Sequence, residues 1–334
     1  MALRVGCIGV GGIAGAHLPN VAGRTDTVIA AVCDLDERRL QEAAAKWGAN
    51  AYSDYKEMLD AERLDAAYVC LPPGAHGTIE LELARRSIPF CVEKPVHLDL
   101  KAAVRVAKMV HKKKLVTSVG YQVRYAPQVA AAAGFLSDRS ISLVEGWFVG
   151  GMPGVRWWRK KALSGGQAVE QTTHIFDLAR RLAGEVEQVC AFGSSGVMKD
   201  VEGYDIEDAS VALLEFRSGA VGHICSACVL TEGGAPHVGL RFDGRDFTVE
   251  LTYGSLKIHT PEGVDERVHS GALGPAMARL DHTFLSAVET GDASGIQSPY
   301  EDGLRTLALT LAVNASMETS KLVRPAALLK EAGF

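Results

Sequence analysis

The sequence predicts an α/β protein of two domains: an N-terminal doubly wound parallel sheet over residues 1–122, and a C-terminal α+β domain over residues 123–334 built on a large, mostly antiparallel open sheet. Three observations predict it. From Leu3 to about Gly120 short apolar runs alternate with helical patterns, which is the order of a parallel sheet covered on both faces. After Tyr121 the strands lengthen and are joined by glycine turns, as in an antiparallel sheet. A chain of 334 residues also exceeds the size at which a single core usually stops growing.

The predicted strands of the first domain are "LRVGCIGV", "TVIAAVCD", "DAAYVCLPP", "IPFCVEKP" and "KLVTSVGY". Between them "AGAHLPNVA", "DERRLQEAAAKWG", "AHGTIELELARR" and "LKAAVRVAKMVHKK" space their apolar residues three to four apart, as helices do. The second domain opens with a helix near Pro127 to Leu136. Its strands then lie in "ISLVEGWFVG", "VEQVCAFGSSG", "EDASVALLEFRSGAVGHICSACVL" and "HVGLRFDGRDFTVELTYGSLKIHT", with "RSGA" and "FDGRD" as hairpin turns. Two late helices, near Ala276 to Thr290 and Pro299 to Thr319, end the chain and are free to return to the first domain.

Composition narrows the function. Lys plus Arg number 35 against 40 Asp plus Glu, and the compact basic run "HKKK" at His111 to Lys114 sits where a helix C-terminus favours cations, so nucleic acid is not an expected partner. No apolar stretch approaches the roughly 18 residues that cross a bilayer, and the N-terminus runs straight into a strand; a cytoplasmic protein is expected. Seven cysteines scattered through apolar segments read as reduced core residues. Cys225 and Cys228 form a C-x-x-C, but on a strand residues three apart point to opposite faces, and no metal site is expected.

Two motifs carry chemistry. "GCIGVGGIAGAH" supplies Gly9, Gly11 and Ala14 at dinucleotide-fingerprint spacing between the first strand and the first helix, with Gly12 and Ile13 in the same turn. The first glycine makes the turn, the second lets a pyrophosphate approach the helix N-terminus, and the small third residue permits close packing, so this half reads as a Rossmann domain. Asp34 closes the second strand where an acid bonds the ribose hydroxyls and repels a 2′-phosphate, so NAD is expected ahead of NADP. Arg38 and Arg39 lie one turn on; either could meet a phosphate, lie against an adenine, or belong to a solvated helix face. The other motif is Glu93-Lys94-Pro95, where an apolar strand breaks off into a lysine whose burial would be costly and whose backbone the proline restricts.

With that turn, "CLPPGAHGTIE", "VEKPVHLD", "VGYQVRYAP" and "GGQAVEQTTHIFDLARRLAGEV" in this order, the sequence resembles the Gfo/Idh/MocA oxidoreductases along its whole length. The resemblance implies an NAD-dependent enzyme that transfers hydride to or from a sugar, polyol or related derivative. It implies that Lys94 reaches the reacting oxygen, with Glu93 and Pro95 fixing it, and that His174 exchanges the proton while Glu170 orients His174 or holds a neighbouring hydroxyl. Leu71, Pro72 and His76 would lie beside the cofactor and Gln122 near the nicotinamide, while Arg124 is as readily a structural ion-pair member. Trp158 and Arg159 match a loop that contributes a Trp-Arg pair to sugar pockets, unless Trp157 and Trp158 pack at a sheet edge.

The family's Asp-x-Gly-x-His segment reads Glu170-Gln171-Thr172-Thr173-His174 here, a longer acid and a bulkier third residue, which leaves the substrate open. Spacing places Glu170, His174 and Asp177 on one face of one helix, with Ile175, Leu178, Ala179 and Leu182 apolar. An NAD-dependent glycosidase and a non-catalytic nucleotide sensor share the fold; a homodimer or homotetramer through the C-terminal sheet is expected as in relatives.

Overall fold

The structure is a computed structural model that describes residues 2–269 and 273–334. The chain divides into two units: Met1–His97, Lys101–Gln122 and Gly274–Gly303 form the first, and Leu98–Leu100, Val123–Leu273 and Leu304–Phe334 the second.

The first unit is built from β1 (Leu3–Ile8), α1 (Ala14–Ala22), β2 (Thr27–Cys33), α2 (Glu37–Trp47), β3 (Asn50–Tyr52), α3 (Tyr55–Ala61), β4 (Ala66–Val69), α4 (Thr78–Arg85), β5 (Phe90–Val92), α5 (Leu100–Lys113) and β6 (Thr117–Val119). Its six strands run parallel in the order β3-β2-β1-β4-β5-β6. Every residue of β4 and β5 is buried, as expected of strands covered on both faces. Helix starts and stops follow local chemistry: Asp36 accepts from the Arg39 N–H at the start of α2, and Gly48 closes that helix in the left-handed conformation. His111, Lys112 and Lys113 occupy the last turn of α5. The sequence patterns miss β3 and α3, because β3 has three residues, none of them buried, and presents no apolar run.

Along the second unit lie α6 (Pro127–Leu136), β7 (Ile141–Val149), α7 (Lys161–Ser164), α8 (Gln167–Glu170), α9 (Thr173–Ala183), β8 (Val186–Ser194), β9 (Ala209–Phe216), β10 (Val221–Ala227), β11 (His237–Gly244), β12 (Phe247–Thr252), β13 (Ser255–Thr260) and β14 (Gly263–Val268). The eight strands are ordered β14-β13-β12-β11-β7-β10-β9-β8 and are antiparallel except where β10 meets β7. Both predicted hairpins form, and β14 escapes the sequence patterns because its residues, "GVDERV", are exposed throughout and set three charged residues between two valines. On β9 Ser210, Ala212, Leu214 and Phe216 point inward while Val211, Leu213 and Glu215 face out. The amphipathic α9 packs on β7 and β11, and α6 on β12 and β13.

The chain ends with α10 (Leu273–Thr290), α11 (Tyr300–Thr319) and α12 (Pro325–Glu331). Gly274–Gly303 belong to the first unit, where Phe284 meets Tyr68 edge-on at 5.6 Å and the Tyr300 N–H donates to Thr117 Oγ1 at 3.1 Å. No helix of the described residues is long and apolar enough to cross a membrane.

Candidate active site

The strand order of the first unit reverses between β1 and β4, and in such sheets ligands bind outside the carboxyl ends of the strands at that point. Because all six strands are parallel, that edge collects Gly9 to Ile13 after β1, Asp34 after β2, Leu71 to His76 after β4, Glu93 and Lys94 after β5, and Gly120 to Gln122 after β6. Gly9 has φ of +87°, and a side chain there would lie 2.4 Å from the Cys70 carbonyl, so only glycine lets β1 turn against β4. Around Gly11 and Gly12 the space a Cβ would fill is open, and no side chain caps the start of α1. An uncapped helix start behind open glycines fits a pyrophosphate.

Asp34 Oδ2 accepts from the Val10 N–H at 2.9 Å and Oδ1 from the Asp36 N–H at 2.8 Å, so the carboxylate ties the end of β2 to the glycine turn. Oδ2 keeps a further lone pair for a ribose hydroxyl. Arg39 reaches Oδ1 at 3.3 Å, whereas Arg38 is exposed and pairs with Glu42 at 2.8 Å. Leu71 is half-buried against the Gly9 turn and Pro72 is exposed. His76 is buried, with Nδ1 2.5 Å from Glu80 and Nε2 donating to the Leu71 carbonyl at 3.1 Å, and Glu80 also accepts from the Gly77 N–H. Both ring nitrogens of His76 therefore brace the loop after β4. The Gln122 side-chain oxygen is buried with no hydrogen-bond partner among the described residues, ready for an incoming donor.

Lys94 begins where β5 ends, half-buried, and the Lys94-Pro95 peptide is cis. Glu93 is buried beside it, and its Oε2 accepts from the Lys94 N–H at 3.2 Å. Gly120 is obligatory here, because a Cβ would come within 2.3 Å of Glu93 Oε1. His17 of α1 completes the setting, with Nε2 3.0 Å from Glu93 and Nδ1 2.6 Å from Asp281. The sequence patterns passed over His17, although a histidine among the buried Ala14, Leu18 and Val21 of an otherwise apolar helix face was visible in them.

In the second unit the single helical face expected for Glu170, His174 and Asp177 is broken. The N–H groups of Gln171 and Thr172 both donate to the Gln167 carbonyl, ending α8 at Glu170, and α9 starts afresh at Thr173. Two donors on one carbonyl interrupt the helical ladder between Glu170 and His174. His174 lies buried in the first turn of α9. Asp177 is bound bidentately by Arg124, at 2.6 Å for both bonds, and accepts from Thr306 at 2.8 Å, which makes Arg124 a structural ion-pair member.

Trp158 also departs from the expected pocket wall. It is 0% exposed, packed with Ile206, Cys228, Met152, Trp157 and Tyr204, and its Nε1–H donates to Glu170 Oε2 at 2.7 Å. A wholly buried indole acts on the carboxylate it holds. Arg159 is half-buried and donates to the Glu202 carbonyl at 3.4 Å. Among the described residues no group of three or more His, Cys, Asp and Glu could hold a metal ion.

The model of the oxidoreductase family with an NAD-binding Rossmann fold matches residues 3–121, and that of the GFO/IDH/MocA C-terminal domain matches residues 140–257. The chain is 26% identical over 338 residues to myo-inositol 2-dehydrogenase of Thermotoga maritima, covering 96% of this chain and 98% of that protein. It is 27% identical over 345 residues to inositol 2-dehydrogenase of Rhizobium meliloti, covering 97% and 99%. A solved structure of levoglucosan dehydrogenase in complex with NADH and levoglucosan shares the fold with a TM-score of 0.86 at 20% identity, covering 97% of this chain and 99% of that one. Matched in both halves by models of one family, and built on the fold just described, the chain belongs to the Gfo/Idh/MocA oxidoreductases.

Proposed function

We propose that this protein is an NAD-dependent oxidoreductase that moves a hydride between the nicotinamide and a CH–OH carbon of a sugar, polyol or sugar derivative. The observation that carries it is the edge of the parallel sheet, where the open glycine turn, Asp34, Gln122 and the lysine after β5 follow neighbouring strand ends. The inositol 2-dehydrogenases among its relatives support the substrate class.

When bound, NAD supplies the carbon that accepts or gives the hydride. Gly11, Gly12 and Ile13 hold the pyrophosphate with main-chain N–H groups, and Asp34 holds the ribose hydroxyls, favouring NAD over NADP. Gln122 offers its buried oxygen to an amide N–H. In the oxidation direction Lys94 donates to the reacting oxygen and stabilises the negative charge that grows there, and His174 takes the hydroxyl proton. Glu170, held by Trp158, orients His174 or a neighbouring substrate hydroxyl.

The outward face of the second sheet carries exposed Leu143, Val211, Leu213 and Val221 on adjacent strands, and a second copy of the chain is the occupant that suits it. Seven cysteines without disulfides suit the reducing cytoplasm.

The test is Lys94→Ala on an identified substrate from a polyol and aldose panel followed by NADH absorbance. A fall in kcat on the order of a hundredfold or more, with NAD affinity within a few-fold, supports the assignment, and Lys94→Arg should restore little because a planar guanidinium replaces a point-charge donor. Near-normal turnover in Lys94→Ala would overturn it.

A further inference from the structure

His17 is 1% exposed, and its two ring nitrogens face carboxylates: Glu93 Oε1 at 3.0 Å and Asp281 Oδ1 at 2.6 Å. Glu93 belongs to the Glu-Lys-Pro segment, and its other oxygen accepts from the Lys94 N–H. Asp281, from α10, is itself held by a second residue of α1: Asn20, one turn beyond His17, donates to Asp281 Oδ2 at 2.7 Å and to the Ala16 carbonyl at 2.9 Å. The ring of Tyr68 lies 5.3 Å from that of His17. A chain of bonds thus runs from α1, the helix that opens at the glycine turn, through His17 and Glu93 to the backbone of Lys94.

We propose that His17 is a positioning residue for Lys94: clamped between Glu93 and Asp281, it fixes the carboxylate that sets the lysine's main chain and occupies the oxygen that would otherwise be free to draw the lysine ammonium toward it. The inference rests on the hydride-transfer reading above.

The charge balance of the cluster supports it. Ionised carboxylates only accept hydrogen bonds, so both ring nitrogens must donate, and the ring is then an imidazolium. Burial opposes that charge, but the bonds and charges of Asp281 and Glu93 outweigh it and raise the pKa of His17 to about 10. Three further titratable groups nearby stay neutral. Burial holds the Tyr68 phenol and the Cys91 thiol well above their usual ranges, and the contact with Cys7 together with burial does the same for Cys70. Two carboxylates and one cation therefore sit directly behind Lys94. Without the cation, Glu93 becomes an uncompensated buried charge next to Lys94 in the chain.

The experiment uses the full chain. His17→Gln keeps a donor toward Glu93 while losing the charge and the bond to Asp281; Asp281→Asn keeps the ring in place and serves if the first variant fails to fold. Labelling with ¹⁵N-histidine should show the His17 ring doubly protonated at pH 8 in the parent and titrating nearer neutrality in Asp281→Asn. On an identified substrate His17→Gln should lower kcat roughly tenfold or more with KM and the dissociation constant of NAD within about threefold. Adding Glu93→Gln, which removes the orphaned charge, should recover part of the loss, so the double variant falls short of the product of the two single losses. A neutral His17 ring at pH 8, unchanged kcat in both variants, or losses that multiply in full would overturn the proposal. If no sugar or polyol is turned over while the ring is doubly protonated, the substrate reading has failed and the clamp has not.

Discussion

The two units each bury a charge network, and the two networks use different cations. In the second unit Arg124 grips Asp177 with both arms of its fork, Thr306 donates to the same aspartate, and Arg180 donates to Thr306 at 2.7 Å while pairing with Glu185 at 2.6 Å. In the first unit a histidine holds Glu93 and Asp281. Arginine stays charged at every pH a folded protein survives, so the second network is a permanent brace for the start of α9 and the segment that carries His174. Histidine can lose its charge. The first network therefore places a charge that can be removed directly behind the lysine proposed for chemistry, and the difference separates a strut from a tuned support.

The largest effect expected from breaking this comparison is on the strut. Asp177→Ala leaves a buried guanidinium without its carboxylate and should cost about 3–5 kcal/mol of stability, read by denaturant unfolding. Replacing Arg124 by Lys should rescue only part of the loss in Arg124→Ala, because one ammonium cannot make two parallel bonds. Neither loss should vary between pH 6 and pH 9.

The support should behave otherwise in the unmodified protein. The pKa of His17 in the folded chain is raised to about 10 from an ordinary 6.5, so its contribution to stability is complete below pH 6.5 and is lost as pH rises through 10. Between those values the folded state holds a proton that the unfolded state has released. Stability should fall with rising pH in that window, at a slope of at most about 1.4 kcal/mol per pH unit from this group. In Asp281→Asn the fall should still begin near pH 6.5 but end nearer neutrality. Unfolding curves from pH 6 to pH 10 that show no such fall would remove the distinction between the two networks.

Much of this was legible in the sequence because it is written in local pattern. The alternation of β1 through β6 with their helices, the Gly9 turn and the Glu93-Lys94-Pro95 break each occupy a single short stretch, so their chemistry can be read without knowing what lies opposite. What escaped is non-local or too short to have a pattern. His17 and Asp281 are 264 residues apart, and nothing in either neighbourhood announces the other. The bond from Trp158 to Glu170 likewise joins two segments whose approach depends on how α8 ends, and α8 ends on a shared carbonyl that no periodicity encodes. The one-helix reading of Glu170 through Asp177 failed for that reason: four-residue spacing fixes a common face only while the hydrogen-bond ladder is continuous. The longer Glu170 side chain meets the indole of Trp158, which offers a structural use for the methylene by which it departs from the family's aspartate.

The smallest effect expected is also the one that locates the charge most finely. Asn20 is neutral and touches neither Glu93 nor Lys94 by any bond described above; it holds the outer oxygen of Asp281 and the Ala16 carbonyl. Asn20→Ala should therefore cost about 1 kcal/mol, two hydrogen bonds, one of them to a charged group, that half-exposed surroundings partly replace with water. Its effect on the histidine should have a definite sign. With one donor gone, Asp281 concentrates its charge on the bond to the ring, so the His17 ring should hold its proton slightly more tightly and the fall of stability should extend to higher pH, opposite to Asp281→Asn. The two shifts can be read from the same ¹⁵N-histidine titration. If Asn20→Ala and Asp281→Asn moved the ring in the same direction, the carboxylate of Asp281 would not be what sets the charge of His17, and the support would have to be explained by packing alone.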